Sequence, residues 1–418
     1  MSLKGQLQPH LLAALTSRRL DALRLRLSEA SRRFRGRPHR LRWFHQVDDP
    51  HAWLLAQALP GLLERFPEVE LEPHTIPEPP EDAVPAPELW RAWGMRDAAA
   101  IAPFFDGLDA LPRRPEPDAV LRANARLLKA QARGGAAYLA EALEVGARLQ
   151  AGDGLGDAPV APGEVQARLK QEEATLRRGG HYLGGVLGHG DAWFWGVDRL
   201  PFLEARLKGL GLGTGAPPLQ RAKAPIPDEA AREVEVFVSV RSPYSYIVLE
   251  RALALIAERG LEARLRPVLP MVTRGLQVPF TKRLYIVLDV ARLARRQGVP
   301  FGHISDPLGD GVERALAVWA QARLDGQGEA FLAAAMRGCW SEGVELASER
   351  GLMQVATRAG VSAEVVRRAL NDASWRDVVE ENRRVMTEEL RLWGVPSFRW
   401  GERVAWGQDR LWWLLGEG

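Results

Sequence analysis

The stretch Val238–Arg251, VSVRSPYSYIVLER, decides how this chain is read. Before it, EVEVFV (Glu233–Val238) alternates as a β-strand does, and after Arg241-Ser242-Pro243 the apolar residues recur at helical spacing. A strand therefore feeds a helix through a very short turn. Ser242 stands where a helix wants its N-cap and Pro243 at the first helical position, where a missing N–H costs nothing. Taken alone, Ser-Pro is a common helix start and requires no function. A second strand, LEARLRPV (Leu261–Val268), follows the helix. The three elements form a βαβ unit, with parallel strands and a right-handed crossover.

The first half of the chain repeats this order. LRWFHQV (Leu41–Val47) leads into Asp49-Pro50-His51-Ala52-Trp53, then a helix through LLAQALPGLLERF and a strand at VELEPHTI. Both halves continue into alanine- and leucine-rich helical segments, 123–152 and 313–343, and both close on nearly the same phrase, WGVDRL (Trp195–Leu200) and WGQDRL (Trp406–Leu411). A hairpin is expected at GVPSFRWGERVAWG, Gly394–Gly407. We read an internal duplication, and the element order is that of an α/β, thioredoxin-like fold with a helical domain inserted in its middle. The expected boundaries are a basic helical extension at 1–39, a first domain at 40–210, a Gly/Pro-rich linker at 211–232 and a second domain at 233–418. The GLGLGTG that opens the linker follows a helix and runs into prolines, so it is no dinucleotide fingerprint.

Composition sets outer limits. At 418 residues, 46% hydrophobic and 26% charged, the chain reads as two or three globular units. No apolar run reaches the ~20 residues of a membrane span, no secretory signal is seen, and Cys339 is the single cysteine, so a cytoplasmic protein without a membrane partner is expected. Met1-Ser2-Leu3 and Glu417-Gly418 read as expression-vector remnants. The net charge of +3 is too small to point to nucleic acid, although Arg18–Arg42 is dense in arginine. That segment reads either as an arm for an acidic partner or as an amphipathic helix packed on its own domain. The eight histidines show no metal-ligand spacing; His181 and His189 read as structural, and no metal is expected.

Five pieces now stand in register in the second half: SPYSY (Ser242–Tyr246), the basic pair opening KRLYIVLDVARLARRQGVPF (Lys282 onward), CWSEG (Cys339–Gly343), Gly394-Val395-Pro396, and WGQDRL. In these the second half resembles the glutathione-dependent branch of the DsbA-like thioredoxin superfamily, 2-hydroxychromene-2-carboxylate isomerase and kappa-class glutathione transferase. With no CxxC present, the resemblance implies that the sulfur is glutathione's, activated by Ser242 at a helix N-terminus whose partial positive charge favours a thiolate. It implies further that Val395-Pro396 is a cis-proline corner pairing with the peptide part of glutathione, and that Gln408 and Asp409 bind its γ-glutamyl end. Asp409 reads equally as a helix-dipole partner or an ion pair with Arg410. Lys282, Arg283 and Tyr285 are implied to hold an anionic co-substrate, with a solvated arginine-rich helix as the plain alternative, and Tyr244 to touch it. Cys339 reads as a packed thiol.

The first half departs from that pattern. Asp49 stands at the place of Ser242, and a carboxylate repels a thiolate. The proline corner is missing, with Gly180-His181-Tyr182 or Gly184-Gly185 in its region, so a degenerate copy is expected. The reaction implied is isomerisation of an aromatic-derived carboxylate, a small-molecule substrate, by reversible addition of the glutathione thiolate. Kappa-like conjugation or peroxide reduction, and a thioredoxin-fold scaffold without turnover, are the alternatives. Pairing within one chain as a pseudo-dimer, or between chains as a homodimer, is left open.

Overall fold

The computed structural model describes residues 3–156, 160–226, 231–276 and 278–416, the side chains from residue 8 onward. Met1-Ser2, Glu417-Gly418 and linker residues 227–230 lie outside the described residues. The chain forms two compact units. The N-terminal unit is Leu23–Ala222 with Pro279–Tyr285; the C-terminal unit is Met1–Ala22, Lys223–Val278 and Ile286–Gly418.

The elements run α1 (Leu3–Thr16), α2 (Arg18–Phe34), β1 (His39–His45), α3 (Pro50–Arg65), β2 (Val69–Thr75), α4 (Pro87–Ile101), α5 (Pro117–Gln131), α6 (Gly135–Ala151), α7 (Pro162–Gly179), β3 (Val186–His189), β4 (Ala192–Trp195) and α8 (Leu200–Lys208). There follow β5 (Glu233–Val238), α9 (Pro243–Glu258), β6 (Glu262–Pro267), α10 (Phe280–Gln297), α11 (Asp310–Ala322), α12 (Gly328–Ser341), α13 (Glu349–Arg358), α14 (Ala363–Leu370), α15 (Trp375–Arg384), β7 (Ser397–Trp400), β8 (Arg403–Trp406) and α16 (Leu411–Leu415). Each unit holds one four-stranded sheet, ordered β2-β1-β3-β4 and β6-β5-β7-β8. In each, the first two strands are parallel and the last two antiparallel additions. This is the thioredoxin-like plan with inserted helices.

Around the start of the first helix, the register of the two plans matches. Phe44 pairs with Val186 and Phe237 with Ser397, so six residues after each pairing position stands the first residue of a 16-residue helix, Pro50 or Pro243. Asp49 and Ser242 are thus equivalent, as are Gly184-Gly185 and Val395-Pro396. The apolar faces of the strands make the cores, around Trp43, Phe44, Leu54 and Leu55 in one unit and Phe237, Phe331 and Phe398 in the other.

Residues 1–39, expected as a basic helical extension, are divided between the units. In the C-terminal unit Arg295 donates to the Thr16 carbonyl and pairs with Asp21, which ties the first helix to α10. The first part of the expected linker is likewise held: Thr214 N–H donates to Arg65 O and Ala222 N–H to Phe104 O, both within the N-terminal unit. No helix of the described residues is long and apolar enough to cross a membrane.

The central strand β5 carries a buried charge. Glu235, 4% exposed, pairs with Arg266 of β6 at 2.5 Å and with Arg399 of β7, and these guanidiniums keep its carboxyl below the usual range although burial opposes it. Removing one partner of a buried pair strands the other. Glu235→Ala is expected to cost ~3–5 kcal/mol in urea unfolding, well above the ~0–1 kcal/mol of an exposed pair such as Arg376–Glu313.

Candidate functional site

Ser242 is the N-cap of α9. Its backbone is extended (φ −99°, ψ 113°), and its Oγ accepts the Ser245 N–H at 3.2 Å, satisfying one donor that a helix start leaves open. The same hydroxyl donates to the carbonyl of Val395 at 3.3 Å, and the Val395–Pro396 bond is cis. Helix start and proline corner, far apart in sequence, therefore meet at one oxygen. Ser242 is half-buried, with Ser245 and Tyr246 buried behind it.

The turn before Ser242 is fixed from below. Trp340 Nε1 donates to Val240 O at 2.9 Å, and Arg241 forms a two-bond pair with Asp306 at 2.8 and 2.9 Å. Cys339 lies fully buried beside this carbonyl, and burial raises its thiol pKa well above the ordinary value. The CWSEG phrase is thus a brace for the turn, and its sulfur stays a protonated packing group. The corner is fixed from the hairpin: Gly407 N–H donates to Pro396 O at 2.9 Å, and the Trp406 indole lies so close that a Cβ on Gly394 would meet it at 2.8 Å.

One residue that sequence reasoning missed completes the corner. Arg274, at the end of a 3₁₀ turn (Met271–Arg274) after β6, donates to Trp393 O at 2.7 Å while its Nε, out of solvent, has no hydrogen-bond partner. Burial pulls this guanidinium down to about 10. Nothing in its local sequence marks it, because its position depends on where the loop after β6 lands.

The remaining expected residues fall into three groups. Tyr244 is engaged: its hydroxyl donates to the buried Asp289 at 2.8 Å, and Arg292 pairs with the same carboxylate. Gln408 is buried, its side-chain amide donating to Asp409 and its backbone carbonyl accepting from Arg251 at 3.1 Å. Gln408–Arg410 is a 3₁₀ turn leading into the five-residue α16, too short to supply the helix dipole that the sequence reading gave this position. Lys282, Arg283 and Tyr285 belong to the N-terminal unit. There Lys282 Nζ donates to Ala83 O at 2.9 Å and sits over the Tyr182 ring, burial lowers its pKa to about 8, and the Tyr285 ring meets His181 edge-on at 4.4 Å. The exposed Arg283 lies over Phe280.

Residues 233–416 match the family model of the DSBA-like thioredoxin domain. Among solved structures, the chain is similar to a 2-hydroxychromene-2-carboxylate isomerase at 22% identity, over 44% of this chain and 92% of that one, with a TM-score of 0.38. It is similar also to a probable DsbA oxidoreductase of Streptomyces coelicolor (22% identity, 43% and 86% covered, TM-score 0.34) and to the cytosolic disulfide reductase DsbM of Pseudomonas aeruginosa (21%, 41% and 87%, TM-score 0.34). No curated protein sequence matches the chain.

The N-terminal unit keeps the geometry of the DsbA-like domain's corner and changes its groups. Gly196 N–H donates to Gly185 O at 2.9 Å, the counterpart of the Gly407–Pro396 bond. The corner is therefore Gly184-Gly185, and not Gly180-His181-Tyr182. The carbonyl equivalent to that of Val395, on Gly184, takes its hydrogen bond from Trp195 Nε1 at 3.0 Å. A Cβ at Gly185 would lie 2.9 Å from Ala52 Cα, so the corner rests directly on the first turn of α3. Asp49, 5% exposed, caps that helix by accepting the His51 N–H at 2.9 Å.

His51 is held between two carboxylates, Asp97 Oδ2 at 2.8 Å from Nε2 and Asp49 Oδ1 at 3.7 Å from Nδ1, and stacks on Trp93. Burial works against its charged form, yet the two acids outweigh it and push the pKa up to about 9. Because the folded value lies above the unfolded one, this contribution is whole below pH ~6.5 and is lost as pH rises through about 9, ~3 kcal/mol at most. Thermal melts at pH ~6.5 and ~9.5 are expected to show a larger drop for wild type than for His51→Gln. Equal drops in the two proteins would remove the charged histidine from the account.

Proposed function

We propose that the C-terminal domain binds glutathione with its sulfur at Ser242 and acts on a small aromatic-derived carboxylate, as an isomerase of the 2-hydroxychromene-2-carboxylate type. The observation that carries this reading is the half-buried Ser242 hydroxyl, poised between the first turn of a 16-residue helix and the carbonyl of a cis-proline corner, with no cysteine of the chain beside it except the sealed Cys339. The match of this segment to the DSBA-like domain supports it, since that is the helix start at which redox sulfur sits in such domains.

Glutathione supplies a thiolate nucleophile. The chain supplies its setting. The Ser242–Val395 hydrogen bond is long at 3.3 Å, so the hydroxyl hydrogen can turn to an incoming sulfur at small cost while Oγ keeps its bond from Ser245 N–H. Donation to the anion, together with the N–H groups of the first turn of α9, lowers the thiol pKa. Val395 offers backbone for strand-like pairing with the tripeptide, Arg274 a half-buried cation with a spare donor for a carboxylate, and Asp409 an acid for the ammonium. These groups fit a zwitterionic thiol peptide. Kappa-like conjugation would use the same thiol site and differ in co-substrate. The N-terminal unit is read as a duplicated copy that has given up thiol binding. The cytoplasm, where glutathione is reduced, suits the reaction.

Calorimetric titration of glutathione, with the ultraviolet thiolate band followed against pH, tests this. Wild type is expected to bind with a depressed thiol pKa. Ser242→Ala is expected to bind while restoring the pKa by about 1–2 units, and Arg274→Ala to weaken binding about 10–100-fold. Equal thiol pKa values in wild type and Ser242→Ala would remove the serine's role, and absence of binding would favour a scaffold without turnover.

A further inference from the structure

The N-terminal unit brings together three side chains that no reading of the site above uses: Glu29 on α2, His39 at the head of β1 and His189 at the end of β3. A ligand atom of each lies within 4.8 Å of the other two, and among the described residues they form the single such group of three. Glu29 and His189 are buried, and Nδ1 of His39 is out of solvent with no hydrogen-bond partner. That nitrogen stands 3.7 Å from Glu29 Oε1. The distance is too long for a hydrogen bond, but it is close to the roughly 3.3–3.4 Å that separates two ligands each ~2.0–2.1 Å from a tetrahedral zinc ion. The imidazole planes of His39 and His189 lie face to face at 6.1 Å.

We propose that Glu29, His39 and His189 form a binding site for a divalent transition metal ion of the zinc type, with water in the fourth position. Two imidazoles and one carboxylate are a borderline-soft donor set, suited to zinc over magnesium or calcium. The surroundings have the form of an outer shell. Arg32 Nε donates to Glu29 Oε2 at 2.9 Å, which leaves Oε1 turned toward His39. The site is also rigid: α2 lies against the β3–β4 turn so closely that a Cβ on Gly190 would meet Ser28 Oγ at 2.9 Å. A bound ion would fasten the arginine-rich helix α2 to one end of the two central strands, β1 and β3.

One contact opposes the ion and makes the proposal sharp. Arg206 Nε donates to His189 Nδ1 at 3.1 Å while its Nη2 pairs with Asp191. In a neutral ring that accepts at Nδ1, the proton sits on Nε2, so a metal gains His189 only when Arg206 releases it. Arg206 and the ion compete, and two nearby guanidiniums lower affinity further.

The test titrates Zn2+ into the full chain, stripped with a chelator, against a chromophoric competitor, with Co2+ as the spectroscopic probe. One ion per chain, a visible tetrahedral cobalt band and a raised melting temperature are expected. His39→Ala and Glu29→Gln should each weaken binding by about 10–100-fold or more, and Arg206→Gln should tighten it. Circular dichroism of each variant separates lost ligation from lost folding, and Glu29→Gln keeps the side chain's shape if His39→Ala fails to fold. No stoichiometric binding, or binding unchanged in both ligand variants, overturns the site; an Arg206→Gln variant that binds no more tightly overturns the competition.

Discussion

One hydroxyl joins two parts of the C-terminal unit that lie far apart in sequence, the start of α9 and the cis-proline corner. Ser242 Oγ takes a hydrogen bond from the first turn of α9 and gives one to the corner before β7, so neither can shift without breaking the cap or the bridge. The surrounding structure is arranged to hold that meeting point. Trp340 pins the carbonyl two residues upstream, Arg241 is locked to Asp306, Trp406 closes over Gly394, and Arg274 grips the carbonyl of Trp393. Each brace comes from a different segment of the inserted helices, loops or hairpin. Cross-bracing of this kind holds a polar group to within the fraction of an ångström that hydrogen-bond geometry requires.

The N-terminal unit shows how the same frame is closed. The equivalent carbonyl is satisfied by an indole, the corner is two glycines that let backbone touch backbone, and the cap is an acid. Burying that acid has a cost, which His51 and Asp97 offset by forming a three-membered charge cluster under Trp93 and Trp195. The same backbone plan therefore carries a neutral, half-buried cap in one unit and a buried ionic one in the other.

Much of this was legible in the sequence, for identifiable reasons. The change of hydrophobic period at Ser242, its repetition at Asp49 and the paired closing phrases are local signals, and local signals place strands, caps and hairpins well. The equivalence of Asp49 and Ser242 follows from them without coordinates. What the sequence did not show was whatever depends on where a segment lands after folding. Lys282 and Tyr285 sit on a helix whose first turn belongs to the other unit, Tyr244 turned to a buried aspartate, and Gln408 opened a 3₁₀ turn where a full helix was expected. Arg274 and the Glu29–His39–His189 group were invisible for the same reason: their spacing in the chain follows no motif, and only the sheet register and the packing of α2 bring them together.

The exchange of serine for aspartate explains more than the loss of a donor. The start of a 16-residue helix presents N–H groups whose summed dipoles attract negative charge, and that attraction can be met from inside or outside the chain. Asp49 meets it from inside: a carboxylate already sits there, and the protonated His51 beside it is in turn balanced by Asp97, so an added anion would find no net field to enter. Ser242, half-buried, caps α9 with a neutral oxygen and adds no negative charge to its positive end. A charged cap therefore stands at one helix start and a neutral one at the other. The two halves thus differ in whether the helix start carries a negative partner within the chain, which is a distinction one residue can make.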